Sequence, residues 1–126
     1  MSKIIECVPN FSEGTDQTKI NSIVSSIKSI QGVTILDCDS GLDTNRTVVT
    51  FVGEPESVIE AAFQGIKRAS ELIDMSLHKG THPRIGATDV CPIIPVSGVS
   101  IEKCIEYSII LAEKVGLELN IPVYLY

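Results

Sequence analysis

Two short strands joined by a polar turn stand near the middle of the sequence. The first, Val33-Thr-Ile-Leu-Asp-Cys-Asp39, and the second, Arg46-Thr-Val-Val-Thr-Phe-Val52, are rich in the β-branched residues that favour strands. Residues 40–45 between them are polar and contain Gly41, which is typical of a turn. This segment predicts a β-hairpin with a rather long loop.

Amphipathic helices are predicted on both sides of the hairpin. Before it, apolar residues recur at helical spacing over residues 20–30, with Thr15 as the expected N-cap and Gly32 as the end of the helix. After it, Pro55 is suited to the first position of a second helix, whose apolar stripe covers residues 59–73.

The remaining segments predict three more strands and one more helix. Residues 3–8 form a strand, and residues 89–96 form an edge or irregular strand because two prolines interrupt them. Ser100 caps a third helix, and residues 121–126 form a closing strand. This order predicts a single domain over residues 1–126 with an α+β fold. The expected architecture is a two-layer sandwich of the ferredoxin-like or split βαβ type, with a mixed β-sheet and helices packed against it.

Composition excludes several classes of protein. The 126 residues carry a net charge of −6, which argues against general nucleic-acid binding. The apolar runs are too short to cross a membrane, and no signal peptide is recognised, so a cytoplasmic location is expected. The four cysteines have no metal-binding spacing and are expected to be free thiols, so the sequence predicts no metal site.

The loop over residues 77–87 is the first candidate site. It places Lys79, His82 and Arg84 within six residues, which concentrates cations in an otherwise acidic protein. Such a cluster suits an anionic ligand, and histidine is suited to proton transfer near neutral pH. The alternative is a solvated loop without a function.

Polar residues after two of the strands form further candidates. Asp39 ends a strand, and Arg46 has the planar fork that binds a carboxylate, unless it simply pairs with Asp39 or Asp43. Asn10 follows the first strand, in a segment that matches neither a phosphate-binding loop nor a nucleophile motif. An EF-hand loop is excluded because Val48 stands where the bidentate glutamate belongs.

Longer motifs extend from one end of the chain to the other. They are Glu6-Cys-Val-Pro-Asn-Phe-Ser-Glu-Gly14, Thr44-Asn-Arg-Thr47, Thr50-Phe-Val-Gly53, Leu72-Ile-Asp-Met75, His78-Lys-Gly80, His82-Pro-Arg84, Asp89-Val-Cys-Pro92 and Ile121-Pro-Val-Tyr-Leu-Tyr126. Together they resemble the N-terminal subdomain of glutamate formiminotransferase, in the formimidoyltransferase-cyclodeaminase family. The resemblance covers essentially all of the sequence.

The resemblance implies a transferase of histidine degradation and one-carbon metabolism. Such an enzyme moves a formimino group between N-formimino-L-glutamate and tetrahydrofolate, which is a co-substrate, and needs no metal. His82 matches the family's catalytic histidine, a general base or acid. The residues expected to bind the substrate carboxylates or the pterin, or to orient the histidine, are Asn10, Asp39, Arg46, Lys79 and Arg84.

The resemblance also implies that the expected cleft is incomplete. The family's transferase region has two α/β subdomains with the folate cleft between them, and this sequence corresponds to the first. A non-catalytic folate- or glutamate-binding module therefore stays open as an alternative, as does a half-enzyme that requires a separate second subdomain. A homodimer through the exposed face is a further alternative.

Overall fold

In the computed structural model, the residues described are 3–41, 43–73 and 86–124. Their elements, in chain order, are β1 (Ile4–Cys7), β2 (Asn10–Phe11), α1 (Gln17–Lys28), β3 (Val33–Gly41), β4 (Arg46–Gly53), α2 (Pro55–Leu72), β5 (Thr88–Val90), β6 (Ile93–Ser97) and α3 (Ile101–Leu119).

The strands form one sheet in which two strands are each interrupted. Both β1 and β2 pair with β4 and follow one another along it, so together they occupy one position in the sheet. On their outer side β1 pairs with β6 and β2 pairs with β5, so β5 and β6 together occupy the next position. The six strands therefore occupy four positions. On its other side, β4 pairs with β3. The helix α1 connects β2 to β3 past β4, and α2 connects β4 to β5 past β2. Each crossover thus skips one strand, which confirms the predicted α+β fold of the split βαβ type.

The helices cover one face of this sheet. On that face the strands contribute large buried residues such as Phe11, Val49 and Phe51, because alternate residues of a strand point to opposite sides. The buried stripes of all three helices join the same core. The signals that begin the helices are local: Pro55 stands at the first position of α2, and the Ser100 hydroxyl accepts from the Lys103 N–H at the start of α3.

Three expectations need correction. The strand pairs described are all antiparallel, so the mixing of directions expected for the sheet is not found among them. The N-cap of α1 is Asp16 rather than Thr15, since the Asp16 carboxylate accepts from two N–H groups of the first turn. Residues 121–124 are not a strand; they follow the left-handed Asn120 that ends α3.

Candidate functional site

The segments singled out in the sequence come together at one end of the sheet. The Ser12 hydroxyl donates to the Gly86 carbonyl at 2.7 Å, and the Ser12 N–H donates to the Ala87 carbonyl at 2.8 Å. On the other side, the Gly14 N–H donates to the Asn45 Oδ1 at 2.8 Å. The loop after β2 therefore joins the β3–β4 turn to the stretch that leads into β5.

The contact between this loop and the turn is so close that it requires glycine. A Cβ at Gly14 would lie 2.2 Å from the Gly41 carbonyl oxygen and 2.6 Å from the Arg46 nitrogen. Both atoms belong to the backbone, so no side-chain rotation would relieve the clash. The turn itself depends on Asn45, whose φ of 51° is left-handed, a conformation that asparagine tolerates better than most residues.

Glu13 holds this loop to the start of α1. Its Oε2 accepts from the Thr15 N–H, the Thr15 hydroxyl and the Asp16 N–H, and Lys19 lies 4.0 Å from Oε1. Burial alone would raise the pKa of the Glu13 carboxyl, but the Asp16 and Thr15 hydrogen bonds and the Lys19 charge together lower it. The hydrogen bonds to Oε2 thus tie this carboxylate to the first turn of α1.

The face of the sheet away from the helices carries three of the predicted binding residues. Register pairs Asn10 with Val48, and Val48 with Asp39, so these three side chains form one row on a single face. Arg46 precedes Val48 by two residues on β4 and therefore points to the same side. Neighbouring strands lie roughly 5 Å apart, which puts Asn10 and Asp39 about 10 Å from each other, the span of a small ligand.

The polar groups on this open face have capacity for further partners. The Asn10 Nδ2 donates to the Val8 carbonyl at 3.1 Å, which uses one of the donors of the amide. No ion pair joins Arg46 to Asp39, although both belong to the described residues. Pairing of Arg46 with Asp39 is therefore not found, pairing with Asp43 stays an alternative, and the guanidinium stays a candidate for a ligand carboxylate.

Two more acidic residues on the open face were not among the predicted binding residues. Glu6 pairs with Val52 and Ile94, and Asp37 pairs with Thr50, so both carboxylates point to the side of Asn10 and Asp39. For Glu6 a signal did exist, because it is a charged residue inside an otherwise apolar strand. The position of Asp37 depends on the bulge at Leu36, which no local pattern reveals.

The remaining predicted site residues cannot be placed. His82, Lys79 and Arg84 lie outside the described residues, as does His78. The described chain stops at Ile73, just after α2, and resumes at Gly86, where Ser12 binds it. Gly86 therefore lies at the same end of the sheet as the start of β4.

A separate groove lies on the helical side of the molecule. It has a volume of about 530 Å³, and it is lined by the C-terminal half of α3 and by residues 120–123. Asn10, Asp39 and Arg46, the predicted site residues within the described ranges, do not line it. The same helix exposes Ile101, Ile105 and Leu117, so this side of α3 is apolar as well.

Within the described ranges, no three His, Cys, Asp or Glu side chains come close enough together to hold a metal ion. The helices described there also lack the length and apolar character that a membrane span requires.

Comparison with known proteins identifies one family along nearly the whole chain. The family model described as "Formiminotransferase domain, N-terminal subdomain" matches residues 4–126. The chain is 55% identical, over its full length, to formimidoyltransferase-cyclodeaminase from Mus musculus. It is 52% identical over its full length to glutamate formimidoyltransferase from Streptococcus pyogenes serotype M1, and 48% identical over 98% of its length to that of Thermoplasma acidophilum.

The chain spans only part of these relatives. It covers 23% of the mouse protein, 42% of the streptococcal protein and 41% of the archaeal protein. The match to the family model and identities of 48–55% over nearly the whole chain nevertheless assign it: the chain belongs to the formiminotransferase domain family, as its N-terminal subdomain.

Proposed function

We propose that this chain forms one wall of a site that transfers a formimino group between N-formimino-L-glutamate and tetrahydrofolate. The observation that carries the proposal is that Asn10, Asp39 and Arg46 share the sheet face opposite the described helices. The relatives named glutamate formimidoyltransferase support the reaction class. We place this reaction in histidine degradation and one-carbon metabolism, in the cytoplasm.

The charges on this face suit the two substrates. The formimino group is an amidine, and the pterin ring also presents several N–H donors, so carboxylates such as Asp39 are suitable acceptors for either. The glutamate portions of both substrates carry carboxylates, which the Arg46 guanidinium can bind through two parallel hydrogen bonds, in bidentate geometry. Lys79 and Arg84 are proposed to supply the additional positive charge.

The proposed chemistry requires one proton to be moved. The N5 nitrogen of tetrahydrofolate attacks the formimino carbon and forms a tetrahedral intermediate. The N5 proton is then removed, and the glutamate nitrogen must gain a proton before its bond to that carbon breaks. We propose that His82 performs both transfers, taking the proton from N5 and giving it to the leaving nitrogen. The protein also lowers the barrier by holding the two substrates together.

A second candidate function is a site that binds its ligand without turnover. Because the chain covers less than half of the relatives named above, it is also a candidate for a half-site that binds folate or glutamate without turnover. Catalysis would then require a second subdomain, supplied as a separate chain or by a second copy.

The deciding experiment is an assay of His82→Ala, with His78→Ala as its matched control. Formation of 5-formiminotetrahydrofolate is followed on the chain alone, and tetrahydrofolate binding is measured by calorimetry. We expect His82→Ala to lower turnover by about 100-fold or more while binding is retained, since a general acid–base group contributes ~10²–10⁴ in rate. Equal loss in both histidine variants would contradict the role of His82.

The same measurements separate the two candidate functions. Turnover by the chain alone supports a self-sufficient enzyme. Binding without turnover supports the half-site. Turnover should then appear when the part of a relative's transferase region that this chain does not match is added. Absence of both binding and turnover, alone and with that addition, would overturn the proposed function.

Arg46 provides an independent test of the open face. Arg46→Ala should raise KM for N-formimino-L-glutamate about 10-fold or more, or weaken its binding by the same factor, because a charge-assisted contact is lost. The control is Arg68→Ala, which removes an exposed arginine of α2 that contacts Glu71 on the same helix and Ser26 on α1. An unchanged KM in Arg46→Ala would remove this residue from the site.

A further inference from the structure

Two of the four cysteines form a close pair. Cys7 lies at the end of β1 and is fully buried, with 0% of its surface exposed. Cys91 lies in the two-residue break between β5 and β6 and is half-buried. Their sulfur atoms are 3.4 Å apart although the residues are 84 positions apart in sequence. The other two, Cys38 and Cys104, are not part of this pair.

The two cysteines belong to neighbouring segments of the sheet, Cys7 to β1 and Cys91 to the break before β6. Cys7 is in register with Ile93, so regular pairing would place Cys91 diagonally across from it rather than beside it. At the break, the Val8 N–H donates to the Pro92 carbonyl at 3.2 Å, which keeps the two chain segments together. A disulfide has its sulfurs about 2.05 Å apart, so the thiols need to approach by only about 1.4 Å.

We propose that Cys7 and Cys91 are a modification site: the pair forms a reversible disulfide in the presence of a low-molecular-weight disulfide such as oxidised glutathione. This inference is independent of the proposed transferase activity, since it depends only on the two thiols and on the strands that hold them.

The order of the steps follows from burial. Cys91 is the more exposed of the two thiols, since it is half-buried whereas Cys7 is fully buried. The Cys91 thiolate attacks one sulfur of oxidised glutathione and releases one glutathione thiolate. The resulting mixed disulfide places a sulfur beside Cys7, which gives up its proton and attacks the Cys91 sulfur. The second glutathione thiolate leaves, so the pair is oxidised while one glutathione disulfide is reduced to two thiols.

Cys7 is unsuited to react first. The hydrogen bond with Cys91 and burial both raise the pKa of the Cys7 thiol well above its ordinary value, which keeps it protonated until its neighbour has reacted. Buried thiols of this kind are normally inert, and here the position of Cys91 supplies the route by which Cys7 can react.

The experiment uses the chain with Cys38→Ser, which removes the exposed thiol that would otherwise react with glutathione. After incubation with oxidised glutathione, intact mass spectrometry should show the loss of two hydrogen atoms, and digestion should yield one peptide that links Cys7 to Cys91. Titration in glutathione buffers of varied ratio should give a reversible transition. The melting temperature of the oxidised chain should rise by roughly 5–10 °C, because the link closes a long loop.

Variants and outcomes make the proposal falsifiable. Adding Cys91→Ala should abolish the loss of two hydrogens, whereas adding Cys104→Ala should leave it intact. A stable glutathione adduct at Cys91 without closure, or no reaction at all, would overturn the proposal. The digest of the oxidised Cys38→Ser chain answers the question even where a further cysteine variant fails to fold, because it reads the linked peptide directly.

Discussion

Glu13 shows how one residue makes the fold sensitive to pH. Its carboxylate accepts three hydrogen bonds at the start of α1, and its pKa is lowered in the folded chain. Because the folded-state pKa lies below that of the unfolded chain, the stabilisation is complete above the ordinary carboxylate pKa. It is lost as the pH falls through the folded-state value. We expect Glu13→Gln to cost about 1–2 kcal/mol in the free energy of unfolding at neutral pH.

Urea unfolding at several pH values checks this prediction. The difference between the wild type and Glu13→Gln should shrink as the pH falls, since the wild type loses the contribution of its charge. Glu113→Gln, at an exposed position of α3, is the control and should change stability by less than about 0.5 kcal/mol at every pH. A difference that stays constant down to acidic pH would assign the cost to packing rather than to charge.

At the scale of the element, two helical glycines have opposite surroundings. A Cβ at Gly65 would lie 3.0 Å from Ile27, which is fully buried, and 3.3 Å from Phe11, whereas the nearest atom to a Cβ at Gly116 is 4.0 Å away. Gly116→Ala should therefore stabilise α3 by about 0.5–1 kcal/mol through helix propensity. Gly65→Ala should be less stable than Gly116→Ala by about 1–2 kcal/mol, because α1 must shift. Thermal unfolding followed by circular dichroism measures both, and equal stabilities would contradict the close packing of α1 on α2.

The elements also show what a sequence reveals and what it conceals. The hairpin, the start of α2 at Pro55 and the cap at Ser100 were predictable, because each depends on neighbours within a few residues. The apolar residues 121–124 suggested a strand, but strand formation requires a partner, and none pairs with them in the described chain. The row of Asn10 and Asp39 depends on the register of three strands, which is a long-range property.

At the scale of the whole molecule, the described helices pack against one face of the sheet and leave the other face open. Val48 and Val49 are adjacent residues of the same type that point to opposite faces, and Val49 is fully buried. Val49→Ala should cost about 1–3 kcal/mol in the free energy of unfolding, whereas Val48→Ala should cost less than about 1 kcal/mol. Val48→Ala should instead weaken ligand binding, because Val48 lies between Asn10 and Asp39. Denaturation and calorimetry on the two variants test this, and equal stability losses would mean that both faces are packed.

The breaks in the strands have a consequence for the outer margins of the sheet. One margin is formed by β5 and β6, which are separated by a gap and contain Pro95, with Pro92 in the gap. The other is β3, which bulges at Leu36 and then carries Asp37 and Asp39. Missing N–H donors, bulges and charges all oppose the addition of a further strand. Both margins of the described sheet therefore oppose edge-to-edge association with another molecule.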